Sequence, residues 1–250
     1  MNIETWNART QQLIGEDKVA HLQSKHVLVA GLGGVGAYTA EMLCRAGVGK
    51  LTIVDGDAVS PSNRNRQLLA LSSTEGKRKA QLMAERLRDI NPDIELVVID
   101  EFLKNERVEA TLDHSYDYVV DAIDTLSPKV FFIIRAMRNK LKLVSSMGAG
   151  GKFDPALVEA TDISKTHSCK LAFYIRKRLQ KFGIRSGFTA VFSPELIEKA
   201  RVLISEGEQN KKSTVGTISY MPAIFGCFCA SVVLRDFLGE DDVESNLYQS

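Results

Sequence analysis

HVLVAGLGGVG, residues 26–36, runs from an apolar strand into a glycine-rich turn and then into a helix that opens at about Gly34. That order marks a phosphate site. Gly31 permits the tight turn, Gly33 lets the backbone approach a phosphate, and Gly36 lets the helix pack close to the sheet. Gly34 completes the run, and the N–H groups at the positive end of the helix then face the anion. Twenty-four residues after Gly31, Asp55 closes LTIVD at the end of a second strand. A carboxylate there can accept both ribose hydroxyls, which suits NAD and ATP equally. It can also be a cap in a turn, and the glycine turn alone occurs in strand–helix junctions that bind nothing.

Outward from this unit, strand and helix patterns alternate. Strands are expected at 26–30, 50–55, 94–99, 117–121 and 141–146, and helices at 34–46, 77–90, 105–113 and 128–140. An amphipathic helix over 9–23 precedes them. The expected fold is α/β and Rossmann-like, a mostly parallel sheet with helices on both faces and strands apolar on both sides. MGAGG (147–151) reads as a flexible break. A smaller C-terminal α+β part follows, with strands at 157–162, 188–192 and 215–220, a basic helix at 168–182 and an apolar helix at 222–238. A polar loop is expected at 205–213, and an acidic polar tail at 239–250. The whole reads as one domain over 1–250, with its core at about 20–150 and the elaboration at about 151–238.

Composition excludes several classes. The 250 residues are 44% hydrophobic and 25% charged with a net charge of +1, so any nucleic-acid contact needs a local patch. The N-terminus carries no signal-peptide pattern, and the apolar run Ala223–Leu234 is short for a bilayer. A cytoplasmic protein with no membrane partner is expected. Cys44, Cys169, Cys227 and Cys229 form no C-x-x-C pair, which argues against structural zinc. Cys44, Cys227 and Cys229 read as small core residues, whereas Cys169 stands among polar neighbours.

Three further segments carry charge to the same edge. SPSNRNRQ (60–67) packs two asparagines and two arginines into five residues. An arginine fork can hold two phosphate oxygens, and Asn63 can orient a phosphate or a metal-bound water. EGKRKAQ (75–81) places Lys77 and Lys79 in the first turn of a helix, against its dipole, where a polyphosphate would justify them. VVDAIDTLSPK (119–129) puts Asp121 and Asp124 at the carboxyl end of the fourth strand, the edge where open α/β sheets bind ligands. Asp124 could equally cap the following helix.

Together Gly31, Gly33, Gly34, Gly36, Asp55, Asn63, Arg66, Gln67, Lys79 and Asp124 form a pattern that resembles the ThiF/MoeB-type adenylation domain of the ubiquitin-activating-enzyme superfamily. The resemblance implies that the glycines hold the phosphates of ATP and Asp55 the ribose. Asn63 and Gln67 line the nucleotide site, Arg66 and Lys79 neutralise the reacting phosphates, and Asp124 binds Mg2+. Arg9, in R-x-x-x-L-x-G (9–15), matches an arginine that reaches the ATP of a neighbouring subunit, and a homodimer is implied. The chemistry is attack of a carboxylate on the α-phosphate. Two anions must meet, so cations must screen them.

Within that superfamily, SSMGAGGKFDPALVEATDISKTHSCKLAFYIRKRL (145–179), FTAVFSPE (188–195) and VGTISYMPAIFG (215–226) are similar to the tRNA threonylcarbamoyladenosine dehydratases. This implies ATP-dependent activation of the threonyl carboxylate of a modified adenosine in tRNA, next to the anticodon, and cyclisation with net loss of water. The attack comes from the same substituent, so no enzyme cysteine is needed. An activator of a ubiquitin-like sulfur carrier is the alternative, and an NAD oxidoreductase a third reading. Residues 165–185 hold Lys165, Lys170, Arg176, Lys177, Arg178, Lys181 and Arg185 with no acid, a patch suited to tRNA phosphates. Phe173 and Tyr174 beside it read as core rather than base-stacking. A monovalent cation near MGAGG and a cysteine desulfurase partner are left open by the resemblance.

Overall fold

The structure, a computed structural model, describes residues 5–103, 106–197, 202–203 and 214–239. Helices α1 (Ala8–Ile14) and α2 (Glu16–Gln23) lead into β1 (His26–Ala30), α3 (Gly36–Ala46) and β2 (Lys50–Val54). There follow α4 (Lys79–Ile90), β3 (Glu95–Ile99), α5 (Glu106–Leu112), β4 (Tyr118–Asp121), α6 (Leu126–Arg138) and β5 (Leu143–Ser146). The C-terminal part supplies β6 (Glu159–Asp162), α7 (Lys170–Leu179), β7 (Thr189–Phe192), β8 (Val202–Leu203), β9 (Thr214–Val215) and α8 (Tyr220–Leu238).

Seven strands form one sheet in the order β3-β2-β1-β4-β5-β7-β6. All neighbours are parallel except the last pair, β7 with β6. The strand order reverses between β1 and β4, where Ala30 lies opposite Asp121. Ligands of open α/β sheets bind outside the carboxyl ends at such a reversal. The C-terminal elaboration therefore adds β7 and β6 to the same sheet, while β8 and β9 pair with each other as a separate two-stranded antiparallel sheet.

The period-two alternation of the strands divides the core. Val27 and Val29 face α3, α4 and α8, whereas Leu28 and Ala30 face α5, α6 and α7. Double coverage explains the near-continuous apolar runs. Edge strand β3 departs from them, with Val97 41% exposed.

Several expectations are corrected. The helix over 9–23 is two helices, broken at Gly15 (φ +88), a conformation that L side chains rarely adopt. The helix after the glycine turn begins at Gly36 rather than Gly34. MGAGG is packed: Met147 and Ala149 are buried, and the Met147 and Gly151 N–H groups donate to Val191 O and Gly216 O. The strand over 215–220 shrinks to Thr214–Val215, and α8 begins at Tyr220 with Pro222 in its first turn, where no intrahelical N–H is required. At 19 residues α8 is long and apolar enough to cross a membrane by length and composition, unlike the shorter run that the sequence suggested. One face of it packs into the core, crossing α3 so closely that a Cβ on Gly226 would fall 2.5 Å from Val35 O. The expected loop at 205–213 and the tail beyond Gly239 lie outside the described residues.

Candidate active site

The site is built at the carboxyl ends of β1, β2 and β4. Gly31 takes φ +90, its N–H donates to Val54 O at 2.8 Å, and a Cβ there would fall 2.8 Å from Ala122 O. Gly36 is tighter still, since its Cβ would fall 1.7 Å from Gly31 O. These two glycines permit the turn itself. Gly33 is different: a Cβ there would meet nothing nearer than Gln67 Nε2 at 3.8 Å. Its face is open space bounded by Gln67. Helix α3 starts with no side-chain cap, which leaves its N-terminal N–H groups to be satisfied from outside the helix.

Asp55 closes β2 and clamps this turn. Its Oδ2 accepts the Leu32 N–H at 2.6 Å and its Oδ1 the Asp57 N–H at 2.7 Å. Both readings of Asp55 therefore hold, since it caps its own turn and also reaches the glycine loop. Burial raises its pKa above the usual aspartate value, against the opposing pull of the Lys79 charge and of the two N–H donors. Lys79, the first residue of α4, is 5% exposed, and its Nζ stands 3.3 Å from Asp57 Oδ2. The ammonium expected at the phosphates thus sits against Asp57, and its charge also acts on Asp55, the carboxylate expected at the ribose. Lys77 is exposed.

The 60–67 segment folds over the glycine loop. A Cβ on Gly34 would fall 3.3 Å from Arg66 O and 2.9 Å from Pro222 Cβ. The Arg66 guanidinium turns back onto Ser62 O and Asn65 Oδ1, both at 2.9 Å. Asn63 Oδ1 accepts the Ser60 N–H at 3.2 Å and stiffens the turn. Gln67 Oε1 is buried without a partner in the protein, a polar atom that a ligand would satisfy. Asp124 is exposed three residues beyond the end of β4. It is not the cap of α6, a position held by Thr125. Its hard carboxylate oxygens suit Mg2+, and the orphaned Gln67 oxygen beside an open Gly33 suits a nucleotide. Arg9 lies exposed on α1.

Two lysines escaped the sequence reading. Lys129 Nζ lies 2.8 Å from Asp121 Oδ2, with both side chains wholly buried, and Ser145 Oγ donates to the same oxygen at 2.6 Å. Lys129 also donates to Ile123 O at 3.1 Å, which holds the segment between β4 and Asp124. The only signal was a lysine opening an apolar helix run. Lys152, just after MGAGG, is 2% exposed, donates to Glu195 O, and has its pKa lowered by burial. It lines a cavity of about 370 Å3 with Gly151, Phe153, Gly216 and Ile218. This cavity adjoins the 60–67 segment, because Asn65 Nδ2 donates to Thr217 O at 3.0 Å.

The remaining expectations divide. Cys169 is buried in the α5–α7 core instead of standing among polar groups, and Cys227 is exposed instead of buried. Cys44 and Cys229 are buried, and burial pushes each thiol up to about 12, so neither is a nucleophile near neutral pH. Lys170, Lys177, Arg178 and Lys181 are exposed on or just after α7, whereas Arg176 is partly buried and donates to Thr166 Oγ1. Phe173 and Tyr174 are 52% and 48% exposed, so they do not belong to the core. Three consecutive helical residues point about 100° apart and cannot share one face, which separates Arg176 from its neighbours.

The fold and the glycine-rich turn at the carboxyl edge of the sheet define a Rossmann-like α/β protein. The ThiF family model matches residues 7–249, and the chain belongs to the ThiF family. It is 40% identical over 257 residues to the tRNA threonylcarbamoyladenosine dehydratase of Escherichia coli, covering 95% of this chain and 96% of that one. It is 36% identical over 244 residues to the protein of the same name from Bacillus subtilis, covering 95% and 96%. The crystal structure of the E. coli enzyme, TcdA, in complex with ATP superposes with a TM-score of 0.84 at 36% identity and covers 94% of each chain.

Proposed function

We propose that this protein is an ATP-dependent dehydratase that cyclises N6-threonylcarbamoyladenosine in tRNA, next to the anticodon. The observation that carries this reading is similarity along nearly the whole chain to dehydratases of that name, one of them crystallised with ATP. The alternative, activation of a sulfur carrier, is supported by matches to the Escherichia coli ThiS and molybdopterin-synthase adenylyltransferases over 61% and 50% of this chain.

In this reading the glycine turn and the α3 N-terminus hold the phosphates, and Asp55 accepts the ribose hydroxyls. The threonyl carboxylate attacks the α-phosphorus, and pyrophosphate leaves. A nucleophile within the same substituent then attacks the acyl carbon, gives up its proton, and AMP leaves. The net change is loss of one water. Lys79 stands ready near the carboxylates of the site, and Arg66 swings its guanidinium from Ser62 and Asn65 onto the phosphates. Mg2+ held by Asp124 would add positive charge that screens the two reacting anions. A monovalent cation near MGAGG, a cysteine desulfurase partner and a cytoplasmic location belong to the same reading.

The protein works as one adenylation domain per protomer and as a homodimer, with Arg9 completing the neighbour's nucleotide site. Mass spectrometry of tRNA nucleosides after incubation with protein and ATP tests the reaction. Threonylcarbamoyladenosine should lose the mass of one water, with AMP and pyrophosphate formed in equal amounts. Unchanged nucleoside would refute the reading. Mixing Arg9→Ala with Arg66→Ala protomers, each deficient alone, should restore about a quarter of wild-type activity by random pairing, and no restoration would remove the role of Arg9.

A further inference from the structure

Residues 125–153 and 163–193 hold thirteen lysines and arginines and no aspartate or glutamate, in a chain whose net charge is +1. The two stretches include α6 and α7, which pack side by side on one face of the sheet. Between these helices lies a groove of about 450 Å3, within the size range of small-ligand sites. Phe131 and Ile134 of α6 and Phe182, just after α7, supply its apolar walls, and Arg178 and Lys181 stand on its rim. Phe182 is 55% exposed, more than packing of the fold requires. Arg178 donates to Ser127 Oγ at 2.9 Å, a neutral partner that leaves its charge uncompensated.

The groove has a direction. Ser127 lies three residues beyond Asp124, so the Ser127 end of the groove is the one nearest that carboxylate along the chain. From Ser127 to Ile134 the groove follows α6 for about 10 Å. An exposed aromatic wall flanked by cations is the arrangement that holds a single-stranded nucleotide through its base and backbone. A peptide segment would not need so one-sided a charge.

Resting on the tRNA reading above, we propose that the α6–α7 groove seats a nucleotide flanking the reacting adenosine, its base stacked on Phe182 and its phosphates held by Arg178 and Lys181. The site is sequence-tolerant, since every base offers a π-face and the groove walls are apolar.

The test uses the full-length protein, ATP and tRNA carrying threonylcarbamoyladenosine. Failure of the wild type to dehydrate this tRNA would defeat the functional reading rather than the groove. Given wild-type turnover, Phe182→Ala should raise KM for tRNA about ten-fold or more, with kcat and KM for ATP preserved. Phe182→Trp should restore KM and Phe182→Leu should not, a distinction that mere hydrophobic packing would not make. Arg178→Ala with Lys181→Ala should flatten the slope of log affinity against log salt by about 1.4, two contacts at about 0.7 each for a single strand. Arg88→Ala, exposed on α4 across the sheet, should leave that slope unaltered. Wild-type KM in Phe182→Ala, equal rescue by leucine, or an unaltered slope in the double variant would each overturn the proposal.

Discussion

The Leu32 N–H donates to Asp55 Oδ2 at 2.6 Å, so the carboxylate that closes β2 also fixes the glycine turn that ends β1. One residue therefore shapes the glycine loop and, in the proposed function, accepts the ribose hydroxyls. Asp55→Ala should raise KM for ATP at least ten-fold, roughly the worth of a lost charge-assisted hydrogen bond. It should also lower stability by about 1–3 kcal/mol, because two backbone donors lose their acceptor. Burial lifts the Asp55 pKa, so the folded chain holds this proton more tightly than the unfolded chain. Stability from this group is thus present at low pH and falls as pH rises from 3.8 through the raised value. ATP binding runs the other way, because only the carboxylate accepts both hydroxyls. Thermal shifts caused by ATP should grow with pH over that window, and they should do so less in Asp55→Asn. Equal pH dependence in the two proteins would dissociate Asp55 from the nucleotide.

Lys79 and Arg66 should separate in stability while agreeing in turnover. Loss of either cation should reduce pyrophosphate release by about 100-fold or more, the usual cost of one preorganised charge at a reacting phosphate. Lys79→Ala should also destabilise the protein, because a buried ammonium against Asp57 and near Asp55 is removed. Arg66→Ala should unfold like the wild type, since its guanidinium bonds only to Ser62 and Asn65 in its own exposed turn. Turnover at the wild-type rate in both variants would detach them from the phosphates.

Much of this was legible in the sequence because the signals were local. The apolar runs, the glycine spacing and the Asp55 interval all reflect contacts made within one βαβ unit. What escaped depended on residues distant in the chain. Nothing near Cys169 reveals that the α6–α7 core covers it, and nothing near Phe173 reveals that α7 turns it outward. The packing of MGAGG comes from Val191 and Gly216, each more than forty residues away. Lys129 looked like a helix-opening lysine, and only the sheet register places Asp121 and Ser145 around it.

That buried trio yields a third prediction. Lys129→Met should cost about 3–5 kcal/mol, since it strands the Asp121 carboxylate in the core. Asp121→Asn combined with Lys129→Met removes both charges and should recover a large part of the loss. Chemical denaturation of the four proteins of the cycle measures the coupling. Additive losses would mean that the pair, 2.8 Å apart, contributes no interaction of its own. The activity readout matters too, because Lys129 holds Ile123 O and hence the approach to Asp124. The double variant should therefore remain less active than wild type even where its stability returns.

Gly33 and Gly36 belong to one motif yet should fail in different ways. A Cβ on Gly36 would fall 1.7 Å from Gly31 O, a backbone atom that cannot move without opening the turn. Gly36→Ala should therefore lose about 3 kcal/mol or more, in the range of severe overpacking, and express poorly. A Cβ on Gly33 would meet only the Gln67 side chain at 3.8 Å. Gly33→Ala should fold with an unchanged melting temperature, because the space it enters holds no protein. If that space takes the phosphates, the same methyl group should weaken ATP binding at least ten-fold by calorimetry, about 1.4 kcal/mol. Tight ATP binding by a well-folded Gly33→Ala protein would place the phosphates elsewhere, and with them the reaction assigned to this edge of the sheet.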